Sequence, residues 1–326
     1  MRAWLLVLML VATLPASART LHLLLNNPPG TAIDRGVRHL QAEVEHRSHG
    51  QLHLAVHPLG DWHGHHLGEL AIVQAVRDGD ADMAVVTSAP LVNYAPEMRL
   101  LDAPFLFNRY GDADTALDGL AGQHLLASLG DHGLHGLAFW DGGFRMLALV
   151  HPWRDLTAQR VRIMESPMYE TMMKLLGAVP IPSDIVQVHD MLKAGYIDAV
   201  DTSYPPILEC HMDDICRYVV ESRHGYAAKV VFMNATLFNG LPPDQQQVLS
   251  VAARVTAAWE RRAYRAEERT ARARCRARGM SIEPLPPADR QQMRKACQPI
   301  YDALARQFSE PWERALLSRS GSIRSR

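Results

Sequence analysis

The stretch from Asp155 to Tyr204 constrains the fold more tightly than any other part of the chain. Around Arg160-Val161-Arg162-Ile163 the alternation is that of a short strand, with Val161 and Ile163 on one face and Arg160, Arg162 and Met164 on the other. Met168, Met172, Leu175 and Leu176 then recur at helical spacing up to Gly177, a helix stop, after which Val179-Pro180-Ile181-Pro182 is extended. A second helix over Gln187–Ala194 stops at Gly195, and Tyr196–Thr202 reads as a strand with polar residues at its end. Strand, helix, strand, helix, strand is the order of a parallel α/β lobe, and such sheets bind small ligands beyond the carboxyl ends of their strands. Arg162 and Thr202 would both stand at that edge.

An earlier segment repeats the plan. Val76-Arg77-Asp78-Gly79-Asp80-Ala81-Asp82-Met83 matches Leu192-Lys193-Ala194-Gly195-Tyr196-Ile197-Asp198-Ala199: a helix-stopping glycine, then an aspartate three residues on, then a strand. Two lobes with the same wiring predict a two-lobed α/β clamshell that closes on a ligand by hinge motion. The boundaries expected are residues 19–141 for lobe I, with a returning segment near 230–255, and 142–229 for lobe II, with 279–326. Leu21–Leu25, Leu52–Val56 and Ala81–Thr87 read as lobe I strands, and Gly36–Glu45 and Leu67–Arg77 as its helices. Asp141-Gly142-Gly143 is read as a flexible joint between the strand Leu134–Trp140 and Phe144-Arg145-Met146-Leu147, and Val230–Asn234 as a second crossing. Residues 242–278 read as one helix, closed by Gly279 and about 50 Å long, enough to cross both lobes. The alternating charges from Glu260 to Arg278 suit a solvated face.

Residues 1–18 carry one arginine, an apolar run from Ala3 to Leu14, a helix-breaking Pro15 and Ala16-Ser17-Ala18, the pattern of a secretory signal cleaved after Ala18. An uncleaved anchor is the alternative, and no cysteine lies at the cleavage site to make a lipoprotein. Export predicts a periplasmic protein. A net charge of −1 argues against nucleic acid or a membrane surface recognised by bulk charge, and no later stretch is apolar enough to cross a bilayer. Cys210, Cys216, Cys275 and Cys297 permit two disulfides. A Cys275–Cys297 bridge between successive helices is plausible, Cys210 and Cys216 need a turn between them, and free thiols are an equal alternative.

The order Asp155-Leu156, Arg160-Val161-Arg162-Ile163, Pro180-Ile181-Pro182, then His189-Asp190-Met191-Leu192-Lys193-Ala194-Gly195-Tyr196-Ile197-Asp198, resembles the second lobe of the periplasmic solute-binding subunits of TRAP transporters, the DctP-like group. Gly50-Gln51-Leu52-His53-Leu54, Pro58-Leu59-Gly60, Ile72–Met83 and Leu101-Asp102-Ala103-Pro104-Phe105-Leu106-Phe107 extend the likeness over nearly all of the chain after the leader. The resemblance implies a carboxylate ligand clamped by Arg162, a second ligand-facing arginine at Arg145, and separate permease subunits in the membrane. For either arginine the alternative is an ion pair with a nearby acid such as Glu165 or Asp141. The chain departs from the group at Asp201-Thr202, where many members carry Asn, and at Ile185, flanked by Ser183 and Asp184, where an aromatic is common. The ligand therefore does not follow from better-known members.

On the first-lobe loop, Trp62 could cap an apolar or sugar-like ligand face, and Glu69 could meet ligand hydroxyls or an amine. Asn93 and Tyr94 are further cleft candidates. His63, His65 and His66 invite a metal reading, but no cysteine or closely spaced carboxylate completes a set. No cofactor is expected. Catalytic signatures are absent: no Gly-x-Ser-x-Gly elbow, no His-Glu-x-x-His, no phosphate-binding glycine loop. The leading expectation is a receptor for a small organic acid. A ligand-sensing partner of a membrane receptor kinase and a periplasmic metal-binding protein are the alternatives.

Overall fold

The computed structural model describes residues 18–322. The expected leader, apart from Ala18, lies outside the described residues. Eleven strands occur among them: β1 Arg19–Leu25, β2 Leu52–His57, β3 Asp61–Trp62, β4 His65–His66, β5 Met83–Thr87, β6 Leu134–Leu149, β7 Arg160–Ile163, β8 Val179–Pro182, β9 Ala199–Thr202, β10 Tyr218–Asn234 and β11 Ser281–Pro284. β3 and β4 form a small hairpin, and the other nine belong to one sheet in the order β2-β1-β5-β10-β6-β9-β7-β8, with β11 beside β10.

That order shows how one sheet makes two lobes. β2, β1 and β5 run parallel at one end, and β9, β7 and β8 run parallel at the other. Between them lie two long antiparallel strands, β6 of 16 residues and β10 of 17. Lobe I uses the C-terminal half of β10, where Lys229–Met233 pairs with β5; lobe II uses the C-terminal half of β6, where Met146–Leu149 pairs with β9. The ladder between β6 and β10 shifts register between Val220 and Gly225 and again between Tyr226 and Ala228, so the long strands bend where the lobes meet.

Asp141-Gly142-Gly143 is therefore not a loose joint. It lies inside β6, buried, and the chain passes from one lobe to the other without leaving the sheet. Gly143 sits at a φ of 84°, and a Cβ there would stand 2.9 Å from Cε1 of Tyr264. Gly143→Ala should lower stability by roughly 1–3 kcal/mol, from left-handed strain and overpacking. Urea denaturation of the two proteins measures this; a loss below about 0.5 kcal/mol would mean that the bend relaxes freely.

The repeated segment has the same structural job twice. The helix Glu69–Asp78 ends at Gly79 with φ 83°, and the helix Val188–Lys193 is followed by Gly195 with φ 67°. After them Asp82 Oδ2 accepts from His22 N of β1 at 2.7 Å, and Asp198 Oδ2 accepts from Arg160 N of β7 at 2.9 Å. Each aspartate ties the start of its own strand to the neighbouring parallel strand, which explains its fixed place after the glycine.

The helix Pro243–Ala277, 35 residues long, spans both lobes. Leu249, Ala252 and Ala253 pack in the cluster that holds Leu21, Leu23 and Leu25, whereas Ala271 and Cys275 pack in the cluster that holds Val188, Leu192 and Val200. Its charged run is not uniformly solvated, because Glu260 and Arg261 are buried: Glu260 accepts from Asp141 N, and Arg261 reaches Asp118. The segment after residue 279 serves both lobes. β11 lies beside the lobe II end of β10, but Tyr301 donates to Pro104 O and Trp312 stacks on His124. All four cysteines are free, so the Cys275–Cys297 bridge does not form; burial pushes both thiols up, to about 11 and about 12.

Candidate functional site: a cleft between the lobes

The main cavity, with an empty volume of about 1110 Å³ including its mouth, lies where β6 and β10 cross between the lobes. Lobe I contributes the loop Asn26-Asn27-Pro28 after β1, together with Glu69 and Thr87; lobe II contributes Arg162 of β7, Ser183 to Val186, and Thr202 to Cys210 after β9. These lobe II groups follow the ends of parallel strands, where a sheet of this kind leaves backbone and side chains open to a ligand. From the middle come Gly142, Arg145, Ala227 and Lys229, with Tyr264 and Glu267 of the long helix behind.

Arg162 and Arg145 have different surroundings. Both are nearly inaccessible to solvent, at 3% and 5% exposure. Arg145 Nε donates to Asp201 Oδ1 at 2.9 Å and Nη2 to Asp201 O at 2.5 Å. Asp201 Oδ1 also receives His224 Nε2 at 3.1 Å, and His224 Nδ1 meets Ser222 Oγ at 2.7 Å. Burial alone would raise the Asp201 carboxyl, but Arg145 and His224 outweigh it and hold it at about 2. The charge of Arg145 is thus already matched, and by Asp201 rather than by Asp141 or Glu165.

Arg162 has no such partner. Its Nε and Nη2 both donate to Ser183 O, at 3.0 and 2.5 Å, and no carboxylate lies within ion-pair distance among the described residues. Burial, with Arg145 nearby, pulls its pKa down to about 10, so it stays cationic at neutral pH while remaining poorly compensated. Nη1 makes no hydrogen bond among the described residues, which leaves the guanidinium able to take an incoming anion.

The other expected site residues divide into two groups. Thr202, Ser183, Ile185 and Glu69 line the cavity. Ser183 Oγ is buried with no hydrogen-bond partner, and Glu69 is held by Thr87 N at 3.1 Å and Lys229 Nζ at 2.7 Å. Asp201 does not reach the cavity wall, being consumed by Arg145 and His224 behind it. Trp62 lies outside as well, half-buried against His22, His57 and His63. Asn93 turns back to Pro90 O, and the Tyr94 hydroxyl is spent on Gln74 with Arg77 over its ring. The His63–His66 loop is the β3–β4 hairpin, and no group of three or more potential ligand side chains assembles there or elsewhere among the described residues.

Three cavity features were not foreseen. Lys229 breaks the otherwise apolar run Tyr226–Met233, and a lone charge in a buried strand was a usable signal. Asn26 and Asn27, in the loop after β1, each bring a buried side-chain oxygen without a partner. Glu209, with its carboxyl pushed up to about 7 by burial and by Glu267, had no sequence signal, because only the cleft gives it that setting.

The profile of the family described as bacterial extracellular solute-binding protein, family 7 (DctP), matches residues 25–307. A solute-binding protein of Verminephrobacter eiseniae is 29% identical over 290 residues, 87% of this chain and 83% of its own length. The 2,3-diketo-L-gulonate-binding periplasmic protein YiaO of Escherichia coli is 32% identical over 224 residues, 67% of each chain. Among solved structures, a TRAP periplasmic solute-binding protein from Xanthobacter autotrophicus with bound β-D-galacturonate superimposes with a TM-score of 0.85 at 25% identity, covering 93% of this chain and 100% of that one.

Proposed function

This chain belongs to family 7 of the bacterial extracellular solute-binding proteins, the DctP family, and from that membership we propose that Arg162 clamps the carboxylate of its ligand between the two lobes. The protein is a periplasmic TRAP solute-binding protein, and its family binds small organic acids. The observation that carries the assignment to Arg162 is its buried, acid-free guanidinium beside a paired Arg145. A planar fork of donors matches the two oxygens of a carboxylate, and each charge-assisted bond contributes roughly 1.5–3 kcal/mol out of water.

Arg145 then acts at one remove, as a fixed part of the wall with Asp201 and His224 behind it. Closure of the lobes is favoured by as much as the ligand binds the closed form better than the open one. Ligand released on opening passes, in this reading, to permease subunits in the membrane, and leaves unchanged: the protein is a receptor and not an enzyme. The hydroxylated acids bound by relatives, β-D-galacturonate and 2,3-diketo-L-gulonate, suggest the compounds to try first.

A thermal-shift series on ligand-free protein from Arg19 onward, with D-galacturonate, D-galactonate, D-erythronate and C4 dicarboxylates, tests the reading. A ligand at a hundredfold excess over its Kd should add about 2.7 kcal/mol of apparent stability. No response to any carboxylate would overturn it. Proton NMR of the recovered ligand checks that nothing has been turned over.

A further inference from the structure

We propose that Glu209 reads the end of the ligand away from Arg162 and rejects a second carboxylate there, so that the cleft takes a monocarboxylate whose far end donates hydrogen bonds. This rests on the carboxylate at Arg162 and goes beyond it. The charges lining the cleft pair off with few exceptions. Arg145 is matched by Asp201, Lys229 by Glu69 at 2.7 Å, and Glu267 by Arg35 of the first helix at 2.8 Å. Asp184 caps Val186 N and meets His66 at 3.4 Å. Glu165 is exposed at the mouth.

Arg162 and Glu209 are left inside. Glu209 ends the short helix Tyr204–Glu209 after β9 and makes no hydrogen bond or ion pair among the described residues, yet it lines the cavity and is not sealed from it. Burial disfavours a negative charge there, as does Glu267 from the long helix; Lys229 on β10 favours one, though that ammonium is already shared with Glu69. Glu209 and Arg162 both line this one cavity, with the side chains of Thr202, Ser203 and Cys210 lining it beside them.

The other uncommitted polar groups of the cavity are neutral: the side-chain amides of Asn26 and Asn27 from lobe I and the hydroxyl of Ser183. Hydroxyls satisfy these groups. A carboxylate there would add like charge in a poorly solvated cavity and find no free cation, since Lys229 and Arg145 are taken. Burial pushes the Glu209 carboxyl up to about 7, so the rejection should be strong in mild alkali and fade in mild acid as Glu209 becomes neutral and can itself donate.

D-Galactonate and D-galactarate separate the terms, because they share a six-carbon chain and differ only in whether the far end is a hydroxyl or a carboxylate. Isothermal titration of the full mature chain at pH 6 and pH 8 should show galactonate bound at least about tenfold more tightly than galactarate at pH 8, with the gap narrowing at pH 6. In Glu209→Gln, which keeps the shape and the hydrogen bonding, the gap should be small and alike at both pH values. His66→Gln, run through the same series, reports any contribution of the His66–Asp184 contact and should leave the gap as in the parent. A parent gap that does not change with pH, or a Glu209→Gln gap equal to the parent's at pH 8, would overturn the proposal while leaving the Arg162 assignment intact. Binding of neither acid by a parent that responds to other carboxylates would overturn this proposal alone, and no response to any carboxylate would overturn both. The pH series on the parent needs no variant, so poor folding of Glu209→Gln cannot shelter the idea.

Discussion

Arg162→Ala should weaken binding of the cognate acid by about two to three orders of magnitude, the equivalent of roughly 3–4 kcal/mol for two parallel charge-assisted bonds in a closed cleft. The same change should alter the stability of the ligand-free protein little, and that combination separates a binding residue from a structural one. The folded-state pKa of Arg162 is lowered to about 10 by burial, with Arg145 adding to it. A group whose pKa falls on folding has its proton held more tightly by the unfolded chain, so the Arg162 charge opposes folding in full below about pH 10, and that opposition fades as pH rises from there toward the ordinary arginine value. Removing the guanidinium relieves that opposition while freeing Ser183 O, two effects of opposite sign. Titration calorimetry and urea denaturation at pH 7 measure the two halves. Arg162→Lys, which keeps the charge but loses the fork, should recover only part of the affinity. An Arg162→Ala protein that melts far below the parent would mean that the arginine holds lobe II together; one that binds normally would move the carboxylate elsewhere.

Asp201→Asn should have the largest effect on stability, a loss of about 3–5 kcal/mol, because it strips the counter-charge from an arginine buried at the centre of the molecule. That is a large share of the roughly 5–15 kcal/mol by which folded domains exceed their unfolded chains. Despite burial, Arg145 and His224 hold the Asp201 carboxyl at about 2, below its unfolded value of about 3.9. A carboxyl depressed on folding contributes stability that is present above pH 4 and is lost as pH falls from about 4 through 2. The deficit of Asp201→Asn relative to the parent should therefore be full at pH 7 and smaller at pH 2.5, as urea denaturation at both values would show. Adding Arg145→Met should recover part of the loss at pH 7, since the pair is then removed together. Equal deficits at the two pH values would mean that packing, not charge, is what Asp201 supplies.

The parts of the fold legible in sequence were those written in local spacing. The alternation over Arg160–Ile163, the glycine stops at Gly79 and Gly195, and the aspartate three residues beyond each depend on neighbours a few positions away, and they predicted both lobes. The joint at Asp141-Gly142-Gly143 misled because two glycines locally favour a break, whereas pairing with β10 on one side of β6 holds them in a continuous bent strand. Trp62, Asn93 and Tyr94 misled in another way. They sit on lobe I loops of the right polarity, but their side chains find partners on their own lobe before they reach the cleft.

The sequence by itself determined the fold class and the presence of an arginine near the end of a lobe II strand. Only the tertiary structure decided which arginine is paired with a carboxylate and which is not. Arg145 and Asp201 are 56 residues apart and meet because β6 and β9 are neighbours in the sheet, while Arg162, one strand further on, meets only a backbone carbonyl. Two identical guanidinium groups thus differ in pairing through distance to the nearest carboxylate, a through-space quantity that no local pattern of residues encodes.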